Sequence, residues 1–374
     1  MSFVDSVFEN DEKIIFKLRA LYAKYGYMKY RMSKFEEYDL YVRNKDFLVS
    51  ENIITFTDVD GKLMALKPDV TLSIIKNSRD TSGIQKMYYN ENVYRASKET
   101  RAFKEIMQTG LEAFGDIDDY CICEVVLLAA KSLECITDDY ILDISHMGIV
   151  SEALEDIAVS EKGRKALLKS LGEKNIAGVS AVCREEGIDE ASVELLKKLV
   201  AVYGTPLEVI AKLKDLKKGE KFQKAIKELE DISAVLAENG CLDKVRIDFS
   251  VINDMSYYSG VVFKGFVNGV PGGVLSGGQY DNLMRKMSRN CGAIGFAVYL
   301  DVLERIYDDS HEFDVDVVLL YEEGANLCDI NKAVKKLTEN GESVVAQKAV
   351  PEKIRYKKLL KLCGAEVKTV ENNA

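Results

Sequence analysis

The spacing of apolar residues separates stretches of helical periodicity from stretches of strand periodicity. Residues 9–30 carry apolar side chains at helical spacing, which predicts an amphipathic helix near the N-terminus. Residues 53–66 alternate and contain Asp60-Gly61, a dipeptide typical of a two-residue turn between hairpin strands. A helix is predicted at Val70–Asn77, directly after Pro68-Asp69, because proline is favoured in the first turn of a helix.

Residues 85–115 predict two strands joined by a polar loop at Ala96–Lys104. The second strand alternates, so that Gln108, Gly110 and Glu112 share one face. Polar side chains beside a glycine on a strand face are typical of a site where a ligand approaches the backbone closely. An ordinary solvent-exposed strand face fits the same pattern.

The middle of the chain is helical. After a helix at residues 120–135, strand signals are few between residues 160 and 240, which we interpret as an inserted helical module. The helices expected in it are Lys162–Leu171, Ala177–Glu186, Ala191–Tyr203, Pro206–Leu216 and Lys221–Asn239. Strands resume at Val245–Ile252 and Gly260–Val267, and after a glycine-rich stretch a helix is predicted at Phe296–Tyr307.

The last part of the chain predicts strands alternating with helices. Strands are expected at Val315–Tyr321 and Ser343–Ala346, and helices at Ala325–Glu339 and Lys353–Leu362. This alternation indicates a small α/β unit with parallel strands. The domain prediction is a core of residues 1–155 and 241–310, a helical insertion of residues 156–240 and a C-terminal unit of residues 311–374.

Composition indicates a soluble, cytoplasmic protein. The chain has 374 residues, of which 47% are hydrophobic and 30% are charged. No apolar run approaches the roughly 20 residues of a membrane span, and the N-terminus lacks the features of a signal peptide. The eight cysteines form no C-x-x-C pair, so we expect reduced thiols, no metal and no cofactor.

The net charge of −10 disfavours a large tRNA-binding surface, which needs a basic face. Basic clusters occur at Lys212–Lys227 and Lys353–Lys361. Both have helix-like spacing with interleaved apolar residues, so we interpret them as solvated helix faces. We therefore expect neither tRNA nor a membrane among the partners.

Several motifs resemble those of histidyl-tRNA synthetases. Residues 248–258 read Asp-Phe-Ser-Val-Ile-Asn-Asp-Met-Ser-Tyr-Tyr and resemble, without a gap, the signature Asp-Pro-Arg-Leu-Val-Arg-Gly-Leu-Asp-Tyr-Tyr. The other matching segments, in chain order, are Leu66–Thr71, Val93–Arg95 with Arg101 of class II motif 2, Phe103–Gly115 and Ser276–Asp281. The resemblance implies an α+β class II synthetase-like core, with an antiparallel sheet flanked by helices.

The same resemblance implies a histidine pocket. Asp69 and Glu112 would pair with the ammonium of the amino acid, and Thr71 and Gln108 would add oriented hydrogen bonds. The aromatic residues of the pocket, which would flank or hydrogen-bond the imidazole, are Tyr257, Tyr258 and Tyr280. Core packing is the alternative role for these tyrosines.

Charges that adenylate formation requires are missing from the motifs. Asn253 stands where the synthetases have their histidine-site arginine, and Val302 stands where they have the arginine of motif 3. Tyr299 replaces a small glycine and would fill space near the adenine. Arg95 remains as a residual cation of motif 2. Loss of cations that stabilise a transition state costs orders of magnitude in rate. The motifs therefore indicate a non-catalytic protein.

The resemblance is closer to the regulatory subunit of ATP phosphoribosyltransferase, an enzyme of histidine biosynthesis. Leu171–Asn175 and Tyr203–Pro206 of the helical part are similar to its pattern. This family implies a hetero-octamer with the short-form catalytic subunit, a self-dimer, and free histidine as feedback effector. The alternatives are a divergent histidyl-tRNA synthetase, which would catalyse histidine-dependent ATP–pyrophosphate exchange, or a synthetase paralogue with another task.

Overall fold

The computed structural model of the chain describes residues 8–43, 53–78, 83–96, 102–155, 157–216, 219–251, 257–303 and 312–373. The chain divides into two compact units. The larger unit is Asp11–Tyr307, and the smaller is Asp308–Ala374 together with Met1–Asn10. The predicted boundaries of the helical insertion, at residues 156 and 240, stay a prediction.

The larger unit combines strands and helices throughout its length. Its strands are β1 Met28–Lys29, β2 Phe35–Glu37, β3 Thr55–Thr57, β4 Leu63–Leu66, β5 Gln85–Ala96, β6 Phe103–Gly115, β7 Tyr140–His146, β8 Tyr203–Gly204, β9 Val245–Asp248, β10 Val261–Val267, β11 Leu275–Gln279 and β12 Gly292–Tyr299. Its helices are α1 Asn10–Lys24, α2 Tyr38–Arg43, α3 Thr71–Asn77, α4 Asp119–Glu134, α5 Met147–Glu155, α6 Glu161–Gly172, α7 Ile176–Glu185, α8 Glu190–Ala201, α9 Pro206–Lys214, α10 Glu220–Glu238 and α11 Asp281–Lys286.

The main sheet is mixed but mostly antiparallel. Within the described residues it has nine strands in the order β1-β5-β6-β12-β11-β10-β7-β9-β8, and only the β1–β5 and β7–β9 pairs are parallel. A separate three-stranded sheet has the order β2-β4-β3. This architecture agrees with the class II synthetase-like core that the motifs imply.

Helices cover one face of the main sheet and leave the other face for the candidate site. Leu111 of β6 and Phe296 of β12 lie in the same buried core as Leu18 of α1 and Val125 of α4. The helix α4 begins where the Asp118 side chain accepts a hydrogen bond from the Cys121 N–H, which caps the helix N-terminus. Residues on the opposite face of β6, Gln108 and Glu112 among them, point away from this core.

The predicted helices between residues 160 and 240 are confirmed as α6 to α10. Polar side chains begin several of them, as the sequence pattern leads one to expect. Asn175 and Asp189 cap α7 and α8, and Thr205 and Glu208 form a reciprocal capping box at α9. None of the helices within the described ranges combines the length and the hydropathy of a membrane span.

The smaller unit has a four-stranded sheet in the order β14-β13-β15-β16 within the described residues. The strands are β13 Val315–Leu320, β14 Val344–Gln347, β15 Tyr356–Cys363 and β16 Glu366–Asn372, and the helix α12 spans Leu327–Glu339. β13 pairs in parallel with both of its neighbours; parallel strands were predicted for this unit, but β15 was predicted to be a helix. The core of the smaller unit contains Val317, Leu319 and Leu360 together with Ala333 of α12.

The predicted helix at Phe296–Tyr307 is wrong in its described part, because Gly292–Tyr299 is the strand β12. Ile294, Phe296 and Val298 alternate into the core, while the small residues between them face the other way. This period of two suits a strand, and β12 pairs with β6 on one side and β11 on the other. Residues 304–307 lie outside the described residues.

The predicted helix at Lys353–Leu362 is also wrong. Tyr356–Cys363 forms the strand β15, so the basic cluster at Lys353–Lys361 does not lie on a helix face. Leu360 and Leu362 enter the core of the small unit at a spacing of two, and β15 pairs in parallel with β13.

The first hairpin differs from its prediction in the length of its loop. The Asp58 N–H donates to the Lys62 carbonyl, so the loop is longer than the predicted two residues.

Candidate functional site

Glycine residues on neighbouring strands make room for the Glu112 side chain. Register places Glu112 of β6 opposite Gly295 of β12, and Gly295 opposite Gly278 of β11. A methyl group at position 295 would collide with Oε2 of Glu112. At Gly110, a methyl group would collide with the backbone oxygen of Phe296. Gly295 therefore leaves the recess that holds the Glu112 carboxylate, and Gly110, which the sequence marked beside the polar face, allows close approach of β12.

Two hydroxyl groups hold the Glu112 carboxylate, which is only 2% exposed. Thr71 Oγ1 donates to Oε1 at 2.7 Å, and Tyr280 Oη donates to Oε2 at 2.5 Å. Burial raises the pKa of Glu112 to about 8, although the Tyr280 and Thr71 hydrogen bonds oppose the rise. The carboxyl group can therefore change its protonation state near neutral pH.

Asp69 lies beside this centre, in the segment between β4 and α3. Its Oδ1 accepts a hydrogen bond from the Leu72 N–H at 2.9 Å, which fixes the carboxylate at the start of α3. Burial raises the pKa of Asp69, whereas the Leu72 N–H and the positive charge of Arg95 oppose the rise. Asp69 and Glu112 thus form an acidic pair, in which the charge of Asp69 adds to the rise in the pKa of Glu112.

The three predicted pocket tyrosines lie together around the acidic pair. The rings of Tyr257 and Tyr258 are 4.5 Å apart between centroids, and those of Tyr257 and Tyr280 are 5.7 Å apart. Burial raises the pKa of all three phenols, so they stay protonated and can donate hydrogen bonds. Tyr280 packs in a buried apolar cluster and also donates to Glu112, so the packing role and the polar role coexist.

The structure brings six predicted residues into this site: Asp69, Thr71, Glu112, Tyr257, Tyr258 and Tyr280. Gln108 lies four residues before Glu112 on the same face of β6, and it is buried opposite Tyr299. Arg101 and Asn253 lie outside the described residues. A cluster of carboxylates, phenols and a hydroxyl, enclosed by glycines, can bind a small ligand that carries a cationic amine and hydrogen-bonding ring nitrogens.

A family model described as histidyl-tRNA synthetase matches residues 4–303. The chain belongs to this family. A curated relative from Clostridium kluyveri, named ATP phosphoribosyltransferase regulatory subunit, is 26% identical over 335 residues, 87% of this chain and 85% of the relative. The similarity to this family thus extends beyond the pocket motifs to most of the larger unit.

Solved structures agree with this assignment. A Bacillus halodurans protein, described as an ATP phosphoribosyltransferase regulatory subunit/histidyl-tRNA synthetase, has a TM-score of 0.80 and 26% identity, covering 94% of this chain and 93% of that one. An ATP phosphoribosyl transferase complex from Thermotoga maritima contains a chain with a TM-score of 0.62 and 19% identity, covering 78% of this chain and 98% of that one. The second likeness establishes the fold alone.

The structure describes Tyr299 at the end of β12 and Val302 just after it, two positions where the sequence predicts a departure from the synthetase motifs. The Tyr299 hydroxyl lies 3.0 Å from the Ser276 hydroxyl of β11, so its side chain occupies the pocket face of the sheet. Val302 is a partly buried apolar residue packed against the main core. The side chains at these two positions therefore provide a phenol ring on the pocket face and an apolar contact with the core.

Sequence reasoning missed a buried ion pair behind the site. The Lys67 side chain is fully buried, and its ammonium pairs with Glu91 of β5. A signal was available, because Tyr89, Glu91 and Arg95 alternate on β5 and therefore share the face that carries Gln108 on β6. Charged residues on the pocket face of that strand could have been predicted to contact the Lys67–Thr71 segment.

Proposed function

We propose that the chain is a non-catalytic regulatory subunit of ATP phosphoribosyltransferase in histidine biosynthesis. In this role it binds free histidine, enables the short-form catalytic subunit and transmits feedback inhibition. Feedback of this kind requires histidine to bind one state of the assembly more tightly than another. The self-dimer and the hetero-octamer that the family resemblance implies belong to the same proposal.

The observation that carries the proposal is the Glu112 centre. Two neutral hydroxyls hold its carboxylate, and no lysine, arginine or histidine of the described ranges forms an ion pair with it. A cationic ligand would supply the missing charge in a sheltered recess, where a charge-assisted hydrogen bond contributes about 1.5–3 kcal/mol. Free histidine has such a charge in its ammonium, and its imidazole suits the tyrosine cluster.

Each predicted residue has a role in this proposal. Glu112 and Asp69 neutralise the ammonium, while Thr71 and Gln108 orient the ligand by hydrogen bonds. The tyrosine rings flank the imidazole and exclude water, and polar contacts to the ring nitrogens discriminate against amino acids that lack them. An amino acid without ring nitrogens would leave buried polar groups unpaired, which is unfavourable.

Two positions support the non-catalytic part of the proposal. Attack on the α-phosphorus of ATP requires cations around the phosphates. Val302 provides none, and Tyr299 reduces the space on the pocket face beside Ser276. Three curated relatives of this chain are all named ATP phosphoribosyltransferase regulatory subunit, which points the same way.

Reconstitution with the short-form catalytic subunit from the same genome tests the proposal. We expect the chain to enable phosphoribosyl transfer and to make it sensitive to L-histidine. Glu112→Gln should retain the activation and lose the inhibition. Glu105→Gln, on the exposed end of the same strand, is the matched control and should retain both.

A parallel assay separates this proposal from the synthetase alternative. We expect no histidine-dependent ATP–pyrophosphate exchange by the purified chain. Exchange that depends on histidine, together with failure to activate the catalytic subunit, would contradict the proposal and identify a divergent synthetase.

A further inference from the structure

The segment that carries Asp69 is fastened to strand β5 by three separate contacts. The Tyr94 N–H donates to the Lys67 carbonyl at 2.9 Å. Arg95 Nε donates to the Pro68 carbonyl at 3.1 Å. The buried ammonium of Lys67 pairs with Glu91 on the same strand. Backbone and side chain of β5 together therefore determine where the Lys67–Thr71 segment lies.

Arg95 also lies between carboxylates. Its positive charge opposes the rise that burial causes in the pKa of Asp69. Burial likewise raises the pKa of Asp301, and backbone N–H groups together with the charges of Lys104 and Arg95 oppose that rise. One carboxylate oxygen of Asp301 is buried without a hydrogen-bond partner in the described structure. The guanidinium thus has one backbone acceptor and two acidic neighbours in its surroundings.

These surroundings fit poorly with a phosphate ligand. A nucleotide phosphate at Arg95 would approach Asp69 and Asp301, and like charges at short range repel strongly where water is excluded. Full engagement of the guanidinium by a phosphate would also compete with its bond to the Pro68 carbonyl. An amino-acid ammonium, by contrast, gains from an ionised Asp69 held in a fixed position.

We infer that Arg95 is a positioning residue, which holds the Pro68–Thr71 segment, and with it the Asp69 carboxylate, in place to receive the ammonium of the bound amino acid. The inference rests on the proposed histidine-binding function and deepens it. It assigns to the motif 2 arginine a role in amino-acid recognition in place of a clamp on a nucleotide. Arg95 acts through Asp69 and needs no contact with the ligand.

The groups around Asp69 determine how this role can be measured. Its titratable and charged neighbours are Arg95, Glu112, Tyr41, Tyr89, Tyr257, Tyr258 and the ligand itself. Glu112 has a pKa raised to about 8 and faces the same ligand in the proposed function. A test must therefore compare two ligands that differ only in the ammonium, so that effects on the imidazole and carboxylate contacts cancel, and it must compare proteins in which Glu112 is unchanged.

The experiment is calorimetric titration of the full chain with L-histidine and with 3-(imidazol-4-yl)propionate, which lacks the ammonium, and with Mg-ATP in parallel. Arg95→Met should weaken L-histidine binding about tenfold, the effect of one charge-assisted contact, and should leave the propionate unchanged. Loss of L-histidine affinity on acidification should begin at higher pH in this variant, because Asp69 then protonates more easily. Arg95→Lys, which keeps the charge, should bind L-histidine with intermediate affinity.

The matched control is Arg246→Met, because the Arg246 guanidinium also holds backbone carbonyls but belongs to β9. It should change neither affinity. Equal weakening of both ligands by Arg95→Met, unchanged L-histidine binding, or an effect confined to Mg-ATP would overturn the inference. If Arg95→Met does not fold, Arg95→Lys serves as the test. Equal changes in the affinity of that variant for L-histidine and for the propionate would overturn the inference. Absence of L-histidine binding by the unaltered chain would instead overturn the proposed function itself.

Discussion

Two buried carboxylate centres lie on one face of the main sheet, and they are compensated differently. Glu112 on β6 receives hydrogen bonds from two neutral hydroxyls. Asp248 on β9 has a lysine of its own, because Lys174 Nζ lies 2.6 Å from Oδ2, and the Ser250 N–H donates to Oδ1. Asp143 accompanies Asp248 on that face, and burial followed by the Asp248 charge raises its pKa to about 6.

This difference separates a structural charge from a binding charge. Lys174 belongs to the turn between α6 and α7, so its pair with Asp248 joins the helical part of the larger unit to β9. The Glu112 centre has no such internal cation among the described residues. A buried carboxylate without a cation is costly to ionise, and a cationic ligand removes much of that cost.

Gly295→Ala should have the largest effect on this comparison. The added methyl group collides with the Glu112 carboxylate, so we expect loss of measurable L-histidine binding and destabilisation by about 1–3 kcal/mol from overpacking. Calorimetry and chemical unfolding measure the two effects. Gly172→Ala is the control, because its methyl group would meet nothing closer than 3.8 Å. An alanine at 295 that binds L-histidine normally would contradict the role of the recess.

The unliganded chain should lose stability between pH 6 and pH 8. The folded pKa of Glu112, about 8, exceeds its unfolded value, so the folded state holds an additional proton in this range and stability falls as pH rises. The expected change is about 2 kcal/mol, at 1.36 kcal/mol per pKa unit. Asp143 contributes mainly at lower pH, since its pKa is about 6. Urea unfolding at several pH values should show this slope, and Glu112→Gln should reduce it.

Tyr280→Phe removes one hydroxyl from Glu112 and keeps the ring in its apolar cluster. We expect L-histidine binding to weaken about fivefold, which corresponds to one hydrogen bond of about 1 kcal/mol. Tyr22→Phe is the matched control, because the buried Tyr22 hydroxyl bonds Ser132 away from the site. Equal effects of the two substitutions on binding would mean that Tyr280 contributes only to stability.

Asp248→Asn should have the smallest effect. Lys174 is 43% exposed and can return to water, so solvent screening limits the loss of stability to about 1 kcal/mol or less. L-histidine affinity should not change. Thermal unfolding and calorimetry measure the stability and the L-histidine affinity of this variant. A loss of L-histidine affinity as large as that expected for Glu112→Gln would contradict the comparison.

The sequence predicted the pocket strand because several signals agreed there. Alternation placed Gln108 and Glu112 on one face, and Gly110 indicated close approach of another group. The helices between residues 160 and 240 were predicted from their periodicity, and the structure shows that side chains such as Asp189 and Thr205 cap their starts. Local periodicity was sufficient at these places because tertiary structure did not oppose it.

Two strands were mistaken for helices because their patterns fit both periods. Leu359, Leu360 and Leu362 of β15 satisfy helical and strand spacing alike, and only pairing with β13 decides between them. In β12 the small residues Gly295 and Ala297 face the pocket, a reason for their size that exists only once β6 is in place. The buried Lys67–Glu91 pair was missed for a similar reason, because alternation marks Glu91 on the pocket face of β5 but only the tertiary fold brings Lys67 to it.

Direct titration with L-histidine tests the central claim, that the Glu112 centre is completed by a cationic ligand whereas the Asp248 centre is complete already. Calorimetry would compare the unaltered chain with Glu112→Gln and Asp248→Asn at neutral pH. We predict binding to the unaltered chain and to Asp248→Asn with the same affinity, and binding to Glu112→Gln at least about tenfold weaker. Equal affinity of all three proteins for L-histidine would contradict the account.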